Sequence, residues 1–355
     1  MSEEMELGFG PRHPALQGVL RLKLTVDEER IVECRPVIGH LHRGLEKVFE
    51  AHVLAENVAH AGYLDFLAPA SSRLAYVGAV EKLLRITPPP RARFLRTVLA
   101  ELQRIASHLH GLASQAADLG FEAPSARARR ARRPFLELLQ GLETALGGLA
   151  GEPAAAWLEG CRRAAEELPE EIDGIAGLLT ENRLWKKRTV GAGALSSELA
   201  LDLGVTGPAL RACGVSWDLR RVFPCEAYEE IDFEVPVGKN GDAYDRYRVR
   251  LEEMRQSARI VVQCLDRIPE GPVLAGLPPN LAAPREAEVY HAVEGPKGEV
   301  GFYLVGDGAR PYRCHLRAPS FAHLQALPEL CRGELVADLI TLVGTLEIAL
   351  GEADR

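Results

Sequence analysis

The run AYDRYRVRLEEMRQSARIVVQCLDRI, residues 243–268, decides the fold class. Along it Tyr244, Tyr247, Leu251, Met254, Ala258, Val261, Leu265 and Ile268 recur at alternating steps of three and four, the spacing that lines side chains along one stripe of an α-helix. At 1.5 Å per residue this helix is ~39 Å long. Asn240-Gly241 makes a turn before it, and Asp242 stands where a carboxylate caps the first free backbone N–H groups. A stripe of this length packs in a core, so Leu251 and Val261 are expected to be buried.

Outward from that helix the pattern changes twice. Helix formers dominate from Leu45 to about Leu179, with punctuation at Pro69, Pro88 to Pro90, Pro124 and Pro134, where proline disfavours continuing a helix. Ahead of them Leu20, Leu22, Leu24 and Val26 alternate with Arg21, Lys23 and Thr25, the period-2 pattern of a half-buried strand. Asp27 to Arg30 form a polar turn, and Ile31 to Ile38 read as the hairpin partner. On the other side, Pro269 to Pro284 read as a linker. Two short alternating runs follow, Val300 to Val305 and Tyr312 to Leu316, joined through Gly306-Asp307-Gly308, and then an apolar helix from about Glu334 to Leu350. The expected class is α+β and mainly helical: a helical bundle with a small N-terminal antiparallel β-hairpin and a C-terminal β/α segment. The divisions are 1–40, 41–268 and 269–355, integrated as one domain.

Composition excludes several functions. A chain of 355 residues with net charge −8 has no overall field to hold a polyanion such as duplex DNA, so no nucleic-acid role is expected. The most apolar stretch, Leu335 to Leu350, is interrupted by Asp338 and Glu347 and is shorter than the ~20 residues needed to cross a bilayer. The N-terminus, Met1 to Glu6, is acidic and lacks the regions of a signal peptide, which predicts a cytoplasmic chain. Seven cysteines form no CxxC pair, and an odd number argues for free thiols. Neither is there a glycine-rich phosphate loop, so no metal or flavin is expected to be held by this chain.

Several segments point further. They are Phe9-Gly-Pro-Arg-His-Pro14 with Gly18-Val-Leu-Arg21, Ile38-Gly-His-Leu-His-Arg-Gly-Leu-Glu-Lys47, Ala79-Val-Glu-Lys-Leu-Leu84, and Glu181-Asn-Arg-Leu-Trp-Lys-Lys-Arg-Thr189. Further along stand Leu210 to Arg220, Val235 to Arg246, Glu253-Met-Arg-Gln-Ser257, Tyr312-Arg313 with Ala318-Pro319, and the ending Gly351-Glu-Ala-Asp-Arg355. In this order, over nearly the whole chain, they resemble the D subunit of the NADH-quinone oxidoreductase (respiratory complex I) family, a relative of the nickel-iron hydrogenase large subunit.

The resemblance implies a hydrogenase large subunit-like fold in a peripheral-arm component, on the cytoplasmic face of the inner membrane. It would pack on the B subunit, which carries the terminal iron-sulfur cluster, and near the C subunit and the membrane-arm H subunit. Quinone would be the substrate, reduced in the cavity between them, with NAD and the clusters held by partner subunits and no activity in this chain alone. Hydrogenase relatives hold nickel with two CxxC pairs, because soft thiolates suit that metal. The matching positions here are near His60-Ala-Gly-Tyr63 and at Glu352-Ala-Asp-Arg355, so no nickel site is expected.

The resemblance also assigns a quinone cavity to His13, Gln17, Phe66 and Asp118. In the family a histidine and a tyrosine hydroxyl donate to the two quinone carbonyls; the matching positions hold Gln17 and Phe66. Glutamine donates a hydrogen bond but supplies no proton at neutral pH, and phenylalanine does neither. Asp118, in Ala117-Asp-Leu-Gly120, matches the aspartate that orients the family's histidine, and Tyr63 stands where an arginine near the terminal cluster is expected. Between Gly141 and Glu170 the family's Ile-Arg-x-Gly-Gly loop has no counterpart, and the linker before Tyr290 lacks a family helix.

Plainer readings stand beside these. His13 in a turn ordinarily caps backbone groups. His40 and His42, two apart in a strand, would share one face and suggest a metal pair, but no third ligand is evident. Arg43, Glu46 and Lys47 open a helix and read either as a solvated face or, by the resemblance, as a polar channel near the cavity. Arg127, Arg129, Arg130, Arg132 and Arg133 read as solvated surface first and a partner contact second. Two functions therefore remain: a wall of the quinone cavity, or a structural component of a complex I- or hydrogenase-like assembly that has lost quinone reduction.

Overall fold

The computed structural model describes residues 5–11, 18–277 and 281–355. In chain order the elements are β1 (Met5–Phe9), β2 (Arg21–Asp27), β3 (Arg30–Val37), α1 (Leu45–Ala51), α2 (Asn57–Ala61), α3 (Pro69–Leu84), α4 (Pro90–Asp118) and α5 (Glu122–Leu139). Then come β4 (Thr144–Ala145), β5 (Gly148–Leu149), α6 (Ala155–Leu179), α7 (Arg183–Thr189), α8 (Ser197–Asp202), α9 (Gly207–Ala212), α10 (Leu219–Val222) and α11 (Ala243–Arg267). The chain closes with β6 (Glu288–Glu294), β7 (Glu299–Asp307), β8 (Arg310–Arg317), α12 (Pro319–Cys331), α13 (Leu339–Leu346) and α14 (Leu350–Ala353). The class is α+β and mainly helical, with three small antiparallel sheets.

Alternation in β2 buries Leu22, Leu24 and Val26 while Arg21 and Lys23 face outward, as a half-buried strand requires. The expected hairpin pairs Leu24 with Cys34 and, past a bulge, Val26 with Ile31. It also gains β1 on its free edge, pairing Leu7 with Leu24. The buried face of this sheet packs with residues of α12 and α13 in one apolar cluster.

Pro69 and Pro90 open α3 and α4, where the missing N–H costs nothing. Two expectations are corrected here. Pro134 does not end a helix: α5 runs through it, because that side of the helix is exposed and water serves the carbonyl it frees. The helical stretch to Leu179 is also interrupted by the β4–β5 hairpin, whose two-residue strands are too short to show periodicity.

Helix α11 forms where its stripe predicts, and the Asp242 side chain caps it by accepting from the Asp245 N–H at 2.8 Å. Tyr247, Leu251, Met254, Ala258 and Val261 are buried. The helix contacts both α4 and α6, so burial extends past the stripe to Arg246, Arg250, Glu253, Gln256 and Ser257.

The two C-terminal runs become β7 and β8, and β6 joins them in a three-stranded sheet, order β6-β7-β8, which packs on α3 and α1. Phe49, Tyr76 and Phe302 meet there with ring centroids 5.2 to 5.6 Å apart. The helix expected over 334–350 is not continuous. A 3-10 turn at Val336–Asp338 leads into α13, which ends at Glu347 in the left-handed region, φ 52°. That turn, of the kind that closes helices, brings the Glu347 carboxylate into the core.

Candidate functional site

Residues 351–355 fold back onto the stretch between residues 39 and 64. Asp354 accepts from the backbone N–H groups of Gly39 at 2.7 Å and Leu41 at 2.8 Å, and its own carbonyl lies 2.8 Å from His42 Nδ1. Gly351 packs on the backbone of Leu64, where a Cβ would stand 2.6 Å from the carbonyl oxygen. Arg43 donates to the Tyr63 carbonyl at 3.0 Å. The segment 38–43, the connection 62–68 and the C-terminus are thereby tied into one surface.

Glu46, at the start of α1, is the charged hub of that surface. Arg313 at 2.8 Å, His315 at 3.0 Å and Arg355 at 3.2 Å surround its carboxylate, which also accepts from the Leu316 N–H. Partial burial pushes this carboxyl up, but the hydrogen bonds from Leu316 and Arg313 outweigh that and hold it low. The Arg355 guanidinium lies 4.9 Å above the Phe321 ring, a cation–π contact that fixes the last side chain.

Beneath the surface lies a buried ionisable cluster. Lys297, from the β6–β7 turn, donates to Asp65, and Asp65 also accepts from the Leu67 N–H at 3.0 Å. Burial pulls the Lys297 ammonium down, and the facing Asp65 more than restores it. Glu352 accepts from the Ser320 N–H at 3.1 Å. Burial, then the neighbouring Asp65 carboxylate, push its carboxyl up to about 7. Directly beside this cluster in sequence, Phe66 is 68% and Tyr63 62% exposed.

A second ionic line crosses the core between α4, α9 and α11. Ser257 and Tyr228 donate to Glu101, which also pairs with Arg104 and Arg220. Arg220 pairs with Asp218 at 2.7 Å, and Arg211 joins Asp218, Glu294 and Glu253. His108 Nε2 then lies 2.9 Å from Glu253 Oε2. Burial drives the Glu253 carboxyl up, yet Arg211 and the hydrogen bond to His108 hold it well below the usual carboxylate range. So many paired buried charges favour one arrangement over its alternatives.

The family model for the respiratory-chain NADH dehydrogenase 49 kDa subunit matches residues 140–286 and 278–355. The NADH-quinone oxidoreductase D subunit of Wolbachia sp. subsp. Brugia malayi is 44% identical over 384 residues, covering 99% of this chain and 98% of the relative. The chain belongs to the NADH-quinone oxidoreductase D-subunit family. The D subunit of Geotalea uraniireducens is 42% identical, with 100% of this chain and 99% of the relative covered. A Solibacter usitatus protein, named as a second NADH-quinone oxidoreductase D subunit, is 43% identical over 363 residues, covering 100% and 98%. The first two alignments are longer than the 355 residues of this chain, so those relatives carry segments that it lacks; the third is close to its length.

Within this D-subunit fold, the candidates take definite places. His13 and Gln17 lie outside the described residues. Phe66 is exposed on an otherwise mostly buried connection before α3, and Asp118 is exposed in the last turn of α4. Arg43 precedes α1 rather than sitting on it, so Arg43 and Lys47 are not neighbours on one helical face. Lys47 pairs with Glu50 at 2.6 Å and is largely solvated. His40 and His42 lie in a turn, not a strand. Of the arginine run, Arg127 pairs with Glu171 and Arg133 with Glu137, while Arg132 donates to the Ala106 carbonyl.

The two positions that match the hydrogenase thiolate pairs come together, since Gly351 rests on Leu64 and Tyr63. In place of thiolates they carry the imidazole of His60, the phenol of Tyr63, the carboxylates of Glu352 and Asp354 and the guanidinium of Arg355. Sequence reasoning missed the cluster of Asp65, Lys297 and Glu352, and the tether that Asp354 makes to residues 39–42. Only Asp65, set among Tyr63, Leu64, Phe66 and Leu67, carried a signal in the sequence, a charge inside apolar surroundings.

Proposed function

We propose that this chain is the D-subunit component of a membrane-associated NADH-quinone oxidoreductase and that its surface around Phe66 and Tyr63 forms one wall of the quinone cavity. The observation that carries this reading is the pair of exposed aromatics, Tyr63 and Phe66, on the same short connection as the buried Asp65, which pairs with Lys297 beside Glu352. An apolar wall suits a quinone ring. A carboxylic acid poised near neutrality suits proton delivery, because general acids work best near the operating pH. With Phe66 in place of a hydroxyl, Glu352 supplies what that side chain cannot.

The electrons come from an iron-sulfur cluster held by the B subunit, which docks beside this surface, with the C subunit and the membrane-arm H subunit as further neighbours. NAD and the clusters belong to partner subunits; this chain contributes groups that bind, orient and protonate quinone. Among the described residues no helix is long and apolar enough to cross a membrane, and the chain sits peripherally on the cytoplasmic face.

A second reading is favoured by Phe66 and Gln17 themselves: a structural component that has kept its assembly surfaces and lost quinone reduction. The double substitution Gln17→His with Phe66→Tyr separates the two. In the assembled complex it should raise quinone reduction, since a positioned acid contributes ~100- to 10,000-fold. Normal assembly with unchanged reductase activity would support the structural reading instead.

A further inference from the structure

Four buried polar atoms converge between α4, α11 and the turn after α13, and none has a hydrogen-bond partner among the described residues: His108 Nδ1, Glu347 Oε2, Gln115 Nε2 and Arg250 Nε. They are not scattered. His108 Nδ1 lies 3.9 Å from Glu347 Oε2, and Arg250 Nε lies 3.3 Å from Glu347 Oε1. Gln115, Arg250 and Glu347 line a small cavity of about 10 Å³ whose other walls are Leu112, Tyr247, Leu251 and Met254. Leaving a buried donor or acceptor unmade costs ~1–3 kcal/mol each.

The chemistry of the four atoms is complementary. Arg211 holds Glu253 as a carboxylate, which lies 2.9 Å from His108 Nε2, and the other ring nitrogen of His108 faces the Glu347 carboxylate. Glu347 Oε2 is an acceptor: burial opposes its ionised form, but Arg250, His108 and Lys297 favour it. Gln115 Nε2 and Arg250 Nε are donors. A carboxylate acceptor and two donors around one space are what a single water satisfies, and about one probe sphere of volume with two to four polar partners suffices to hold it.

We propose that this cavity is a binding site for one water molecule, which accepts from Gln115 and Arg250 and donates to Glu347. The fold is shaped to admit it. Glu347 takes a left-handed backbone conformation that a non-glycine residue adopts at a cost, and its carboxylate enters space that exists only because residue 111 is glycine; a Cβ there would stand 1.7 Å from Oε1. The bound water ties Gln115 of α4 and Arg250 of α11 to Glu347, in the C-terminal segment that carries Glu352. This site does not depend on the quinone reading.

The test is a density map of the assembled complex at a resolution that shows ordered waters. A compact peak within ~3.2 Å of at least three of the four atoms is expected. An empty cavity, or Gln115 closed directly onto Glu347, would overturn the proposal. Gln115→Met is the second arm: its apolar side chain takes the same space, so the peak should vanish and the melting temperature fall. A variant that melts like the wild type, with Glu347 unmoved, would also overturn it. If the variant does not assemble, the wild-type map decides alone.

Discussion

Arg211 grips Glu253 through two nitrogens, Nε at 2.8 Å and Nη2 at 2.7 Å, with both side chains fully buried. The pair comes from α9 and α11, and it fixes where the long core helix stands against α9. Removing Glu253 takes the acceptor from Arg211 Nε and from His108 Nε2 inside the core, with only Asp218 and Glu294 left facing Arg211. Glu253→Ala should therefore destabilise the fold by ~3–5 kcal/mol, and chemical denaturation measures it. A loss below ~1 kcal/mol would show that solvent reaches Arg211.

Glu352 gives the protein a pH dependence with a definite sign. Its folded-state pKa is about 7 against an ordinary 4.5, so the folded state holds this proton more tightly than the unfolded chain does. The stabilisation is complete below the unfolded value and is lost as pH rises through 7. A displacement of that size corresponds to ~3 kcal/mol. Glu352→Gln, which stays neutral and keeps an oxygen for the Ser320 N–H, should flatten the loss. Melting curves taken between pH 5 and 8 check this, and parallel behaviour of variant and wild type would contradict it.

The apolar stripe of α11 can be tested independently of charge. Leu251→Ala should cost ~2–5 kcal/mol, as truncation of a packed leucine does, because Leu251 is buried against the main core cluster. Val261→Ala removes less volume and should cost less. Unchanged thermal midpoints for both would place the stripe at a surface.

How far the sequence discloses this molecule depends on the kind of signal. Long periodic elements such as α11 and the alternating β2, β7 and β8 are legible because many residues repeat one pattern. Strand β1 and the β4–β5 hairpin are not, since five or two residues carry no period that outweighs chance. Pro134 misleads because an exposed helix face tolerates what a buried one does not. The candidate site is legible only in part. Phe66 and Asp118 are marked by family resemblance, whereas Asp65, Lys297 and Glu352 are brought together across 287 residues of chain by the fold alone. The hydropathy pattern registers Glu347 as an interruption without revealing that Gly111 makes room for it.

Asp354 offers a local test of how the C-terminal residues are held against residues 39–42. Asp354→Ala deletes the acceptor for the Gly39 and Leu41 N–H groups, and each lost bond of this kind costs ~1–3 kcal/mol when charged groups are involved. The expected result is faster amide exchange confined to residues 38–43 and the C-terminus. Exchange unchanged in that segment would mean that Asp354 does not hold it.

The central claim, that the surface around Phe66 is a wall of the quinone cavity, is tested most directly by photolabelling the assembled complex with a light-activated quinone and mapping the labelled peptides by mass spectrometry. Label is predicted on the peptide containing Tyr63 to Phe66, reduced by excess unmodified quinone. Label confined to the other chains of the complex, in an assembly that still reduces quinone, would contradict it.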